Sequence, residues 1–305
     1  MKQRQISGPM MQALLGGELF PLLQAVQRDD TLDMELRGSA VNIYYRGGSI
    51  FKIAMKRNTF ELTFDTKYCT AGSAPLEAHP SPTEAAAQLP FYKQAMDWWF
   101  HAYPKYEREF QQVIARENNS HGKISCGTDY YIADIEFVEG SSRFDMVGLK
   151  WLSNGAVRKN RCKLSLALIE MKYGDGALKG SAGIEKHLED FRTFLSDKEK
   201  VKQFCEDMSV VFAQKCALGL VAGQEDILHE FQINPKNELP EFRISPLNPE
   251  VIFIFANHDP ESTILPAAIE AVDPDDYPFP IMIAEASNMG YGLYAKHLKQ
   301  LKNDK

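Results

Sequence analysis

Arg143-Phe144-Asp145-Met146-Val147, followed downstream by Leu168-Ile169-Glu170-Met171-Lys172-Tyr173, sets an aspartate and then Glu-x-Lys inside otherwise apolar, strand-like sequence. In a strand, side chains two residues apart emerge on the same face, so Glu170 and Lys172 point together while Ile169 and Met171 point away. Asp145 can join them from a neighbouring strand. Burying a lone carboxylate or ammonium costs several kcal/mol, so such groups are expected to be paired, metal-bound or beside a wet cleft. Two hard oxygen donors beside a cation suit Mg²⁺ or Mn²⁺, which take one or two carboxylates, keep several waters and contact phosphates. The bland alternative is an ordinary meander in which Glu170 and Lys172 form a surface ion pair worth under about 1 kcal/mol.

The flanks supply the order of elements. Residues 130–137 read as one strand, Glu139-Gly140-Ser141-Ser142 as a turn, residues 143–152 as a second strand and residues 163–173 as a third. Asp145 followed by Glu170-Met171-Lys172 resembles the PD-(D/E)XK nuclease superfamily, with Phe-Asp standing where that family often has Pro-Asp. The resemblance covers residues 106–195 and implies an α+β (α/β) fold: a restriction-endonuclease-like core with a central mixed sheet flanked by helices. It also implies that Asp145 and Glu170 hold the metal, that the Met171 carbonyl assists, and that Lys172 supports hydrolysis. In such families a glutamate on the first core helix often lies near the metal, which points to Glu107, with Gln111 one turn on and Glu117 as the rival. A polar residue on the helix after the third strand plays a similar part, with His187, Lys179 and Glu185 as candidates.

Register constrains the connection between the second and third strands. A tight turn at Asn154-Gly155 pairs Asp145 with Leu164 and leaves Glu170 about 20 Å away. For Asp145 to lie opposite Glu170, the connection must be centred near Val157 and Arg158, so a wide loop over residues 153–161 is predicted. Positive charge concentrates there in Lys150, Arg158, Lys159, Arg161 and Lys163. The chain as a whole is acidic, net −7 with a pI of about 5.6, which argues against a broad electrostatic DNA-binding surface. A local strip of Arg158, Lys159 and Arg161, with Arg143 beside the aspartate, is compatible with guiding one phosphate backbone, or equally with a solvated hairpin tip.

A helix is expected over residues 184–195, with Ile184, Leu188, Phe191 and Leu195 as its buried stripe and Asp190 placed to hold the His187 ring. Two helical segments, residues 91–102 and 104–117, are separated at Pro104. Trp98, Trp99 and Phe100 are suited to base stacking, although an aromatic helix is more often core.

The sequence suggests an N-terminal α+β extension over residues 1–85 and a nuclease-like domain over residues 86–305, with the boundary in the Pro- and Gly-rich stretch before residue 85. Arg46-Gly47-Gly48 reads as a hairpin turn. Residues 250–256 and 279–285 are apolar runs suited to buried strands that extend the sheet. Five cysteines, odd in number and without Cys-x-x-Cys, argue against a disulfide framework and a zinc site. No apolar run approaches a membrane span, and a reducing cytoplasm is the default setting. The expected activity is Mg²⁺- or Mn²⁺-dependent hydrolysis of nucleic acid, DNA in preference to RNA, with a homodimer as a candidate assembly and no membrane partner. The competing expectation is a catalytically silent nuclease-fold scaffold that binds nucleic acid or protein.

Overall fold

Residues 4–57, 59–70, 75–120, 126–139, 142–178, 183–234, 238–259, 261–286 and 292–302 are described by a computed structural model. The chain divides into an N-terminal unit, Lys2–His121 with Val210–Pro240, and a second unit, Gly122–Ser209 with Glu241–Lys305.

In the N-terminal unit, helix α1 (Gly8–Gly16) starts where the Ser7 hydroxyl accepts from the Met10 amide, and α2 (Phe20–Arg28) follows. Strands β1 (Leu32–Leu36), β2 (Ala40–Tyr45), β3 (Gly48–Lys56) and β4 (Thr59–Thr63) form an antiparallel sheet in chain order. The β2–β3 turn is Arg46-Gly47, with both residues left-handed at φ 50° and 72°, the pattern of a type I′ hairpin. Helices α3 (Pro82–Ala87), α4 (Leu89–Ala102) and α5 (Tyr106–Asn119) complete this stretch. α4 buries Tyr92 edge-on to Phe51 and Phe64, with ring centroids 4.9 and 4.7 Å away. From α5, the Gln112 side chain accepts from the Gly47 amide (2.7 Å) and donates to the Thr31 and Tyr44 carbonyls (3.1 Å each).

These contacts correct the expected boundary at residue 85. α3 packs on α2 and α4, α4 on β3, and α5 on β1 and β2, so these helices belong with the N-terminal strands and the division falls near residue 121.

The second unit opens with β5 (Tyr130–Glu139), β6 (Ser142–Lys150), a short helix α6 (Gly155–Arg158) and β7 (Leu164–Tyr173). Helix α7 (Ile184–Ser196) follows. Helix α8 (Lys198–Ala217) then leads into the N-terminal unit, to which α9 (Glu225–Ile233) also belongs. The chain returns as β8 (Ile244–Ala256), α10 (Ile264–Glu270), β9 (Ile281–Glu285) and β10 (Lys299–Gln300). Among the described residues these strands form one mixed sheet in the order β10-β9-β8-β7-β6-β5. β5, β6 and β7 are an antiparallel meander, whereas β8 runs parallel to β7 and β9 parallel to β8. Strands buried on both faces must be apolar throughout, which is why β7 and the second half of β8 are nearly unbroken hydrophobic runs.

α7 lies against this sheet. Phe191 stacks on Phe144 at 5.3 Å and meets Phe253 at 6.2 Å, while Phe194 meets Phe144 at 4.8 Å. The buried stripe is Ile184, Leu188, Phe191 and Phe194; Leu195, expected there, is only half-buried because the larger aromatic takes the contact.

The β6–β7 register runs from Met146↔Ile169 to Lys150↔Ser165, which brings Asp145 level with Glu170. The connection is wide, as the spacing requires, and α6 sits in it with the Asn154 side chain accepting from the Ala156 amide at 2.9 Å. No helix among the described residues is long and apolar enough to cross a membrane.

Candidate active site

The β6–β7 ladder ends at Met146↔Ile169, one residue short of Asp145 and Glu170. There the Asp145 carboxylate takes over from the backbone: its Oδ2 accepts the Met171 amide at 2.9 Å. A residue's amide and carbonyl leave a strand by the same edge, so the Met171 carbonyl is also turned toward β6. Opposite Asp145 on β5, Glu136 adopts φ 49°, so the irregularity extends across the neighbouring strand.

On β7, the Lys172 ammonium donates to Glu170 Oε1 at 2.8 Å. Both side chains are only 3% exposed, so the pair is buried and the surface ion-pair alternative does not apply. His187, on α7, brings its Nδ1 to 3.0 Å from the same Glu170 oxygen, but the approach is out of line and that nitrogen makes no hydrogen bond. Burial, with the positive charges of Lys172, Lys186 and Arg143, pushes the His187 pKa down to about 4, against the opposing pull of Asp190. The imidazole is therefore neutral at neutral pH. Asp190 does not hold the ring as expected; its carboxylate pairs with Lys186 one turn back.

The other sequence candidates separate. Arg143 is exposed on β6, close enough to Asp145 in sequence and to His187 in field to belong to the same neighbourhood. Glu107 lies in the first turn of α5, in the N-terminal unit. Lys179 falls outside the described residues. The basic strip is at the wrong end of the strands, because Lys150 is about 17 Å along β6 from Asp145 and the loop lies beyond it. Its charges are also committed. Lys150 pairs with Glu250 at 2.9 Å. The Arg158 guanidinium donates to the Thr128 carbonyl and lies 4.4 and 5.1 Å from the ring centroids of Tyr131 and Trp151. Arg161 is half-buried, with its guanidinium 6.0 Å from the Phe242 ring, and Lys159 and Lys163 stand exposed. Arg158 and Arg161 thus pack into a corner of the loop, while Lys159 faces solvent about a strand's length from Asp145.

One pair escaped the sequence reading. His258, two residues past the end of β8, places Nδ1 2.9 Å from Asp175 Oδ1 and Nε2 3.4 Å from the Lys172 carbonyl. The signal was available in Asn257-His258 directly after an apolar run, since polar residues at the carboxyl ends of parallel strands gather at one rim.

Among the described residues, no group of three or more His, Cys, Asp and Glu side chains is arranged to hold a metal ion. The register sets Asp145 level with Glu170 on adjacent strands, with the Met171 carbonyl turned toward β6, and carboxylate and carbonyl oxygens are hard donors of the kind Mg²⁺ takes with water in its remaining positions. No family model, curated protein or solved structure matches this chain.

Proposed function

We propose that this chain is a divalent-metal-dependent nuclease with a restriction-endonuclease-like core, acting on nucleic acid, DNA in preference to RNA. One observation carries the reading: Asp145 and Glu170-x-Lys172 meet from adjacent strands where the ladder opens, with the Met171 amide tied to the aspartate. The meander β5-β6-β7 followed by a helix and a parallel strand supports it as well.

Asp145, Glu170 and the Met171 carbonyl would hold Mg²⁺ or Mn²⁺, which when bound supplies positive charge to offset that of a phosphodiester in its transition state. Lys172 donates hydrogen bonds toward water or a phosphate oxygen, and its burial keeps that donor fixed in a low-dielectric setting. The neutral His187 ring adds a polar contact beside Glu170 without adding charge.

The direct test is cleavage of single- and double-stranded DNA and RNA with Mg²⁺ or Mn²⁺. Wild type should cut, and Asp145→Ala and Lys172→Ala should lose at least about a hundredfold in rate, as when a single transition-state donor is removed. Equal rates in all three chains would defeat the proposal.

A second reading, a catalytically silent scaffold, is favoured by one feature: Glu170 is closed on Lys172, and both are buried. Calorimetric titration with Mg²⁺ separates the two. Binding that Asp145→Ala abolishes favours the enzyme, and no binding down to millimolar affinity favours the scaffold.

A further inference from the structure

We infer that the α4–α5 corner of the N-terminal unit is a stacking platform for single-stranded nucleic acid. An amphipathic helix turns its polar stripe to solvent, yet the solvent stripe of α4 runs Phe91, Gln94, Trp98, His101, at helical spacing and all exposed. Phe91 is 55% exposed and Trp98 44%, and just beyond the helix end Tyr103 is 58% and Tyr106 50%. Every large aromatic side chain exposed to this degree, among the described residues, falls in this one run of residues 91–106. Large apolar surface gathered in one place marks a binding surface, whereas isolated exposed apolar residues do not.

Charge selects the occupant. At this corner His101, Lys105 and Arg108 are exposed. Two of the nearby acids are already paired: Asp97 and Glu109 both meet Arg46, at 3.0 and 2.8 Å, and Asp97 also accepts from the Tyr45 hydroxyl at 3.0 Å. Glu107, half-buried, is the remaining acid on the first turn of α5. Aromatic faces interleaved with outward cations suit a strand whose bases are unstacked and whose phosphates lie alongside, because every base has a π-face and stacking tolerates any sequence. A duplex keeps its bases inside and gains nothing from these rings. Phe91 and Trp98 lie about 10 Å apart along the helix axis, so successive rings can engage separate bases of an extended strand.

This surface stands independently of the carboxylate site, and its test needs no metal. The full chain in EDTA is titrated with oligothymidylate and with oligouridylate, following tryptophan emission. Binding with quenching is expected. Trp98→Ala should weaken affinity at least about fivefold, and Tyr103→Ala with Tyr106→Ala by a similar factor, as for loss of a stacked base. Trp98→Phe should keep most of the affinity while losing much of the quench, a pattern that a folding defect does not produce. Lys105→Ala and Arg108→Ala should each lower the slope of log affinity against log salt by about 0.7. The inference is overturned if the Trp98→Ala and double-tyrosine chains bind as wild type does, if duplex displaces the strand as well as single strand does, or if the corner instead mediates concentration-dependent self-association abolished by the same variants. Strand binding by the wild-type chain with no cleavage in Mg²⁺ or Mn²⁺ removes only the nuclease reading. Cleavage with binding indifferent to these variants removes only this one.

Discussion

At the level of single residues, the Asp145–Met171 hydrogen bond and the Glu170–Lys172 pair set what the site tolerates. Breaking a buried pair leaves an uncompensated charge, so Lys172→Met is expected to cost about 3–5 kcal/mol of stability, measured by urea unfolding. His187 gives a sharper signature. With its folded value near 4 against an ordinary 6.5, the unfolded chain binds the extra proton across that window. Acid therefore favours unfolding: the contribution of His187 is constant above about 6.5 and becomes steadily more destabilising as the pH falls to about 4. Proton NMR should find a His187 midpoint well below those of exposed histidines, and His187→Gln should flatten the stability profile between pH 6.5 and 4. A midpoint near 6.5 would contradict the burial described for the ring.

Among the elements, the turns decide more than the strands. Gly47 is left-handed at φ 72°, and a Cβ there would come within 2.5 Å of the Arg108 carbonyl carbon. Gly47→Ala should therefore cost about 2 kcal/mol or more, seen as a lowered denaturant midpoint. Arg46 shares the left-handed turn but keeps its side chain in solvent reach, so Arg46→Asn should lose the Asp97 and Glu109 pairs yet relieve backbone strain, with a smaller net loss. The same logic shows what sequence could reveal. Strand periodicity made the meander legible, and the spacing of Asp145 and Glu170 fixed the width of their connection, because a one-residue slip would send the side chains to opposite faces. The opening of the ladder at Asp145 was not legible, since it depends on a side chain replacing a backbone acceptor. The fate of the basic loop was equally hidden. Arg158 and Lys159 look alike in a charge run, and only packing against Tyr131 and Trp151 distinguishes the first.

For the whole molecule, the N-terminal unit is built from two separated pieces of chain. The backbone of Ile6 exchanges two hydrogen bonds with the Gln214 side chain, at 2.9 and 2.7 Å. Gln27 donates to the Leu218 carbonyl at 2.8 Å, and buried Glu35 pairs with buried Lys215 at 2.6 Å. A fragment ending at residue 121 is therefore expected to show no cooperative thermal transition by circular dichroism, whereas the full chain should show one. Lys215→Met in the full chain should cost about 3 kcal/mol, toward the lower end for a broken buried pair because Arg37 remains 3.6 Å from Glu35. A local Pro-rich stretch suggested a boundary at residue 85 because composition reports where the chain turns, and it carries no record of partners so distant in sequence.

Those distant partners set a schedule for synthesis. A growing chain that has released residue 121 still lacks Gln214, Lys215 and Leu218, and the ribosome needs roughly 6–24 s to add residues 122–240 at about 5–20 residues per second. During that interval the N-terminal strands wait without Lys215 beside Glu35, so the residues made before residue 121 cannot complete their unit until those near residue 240 have followed.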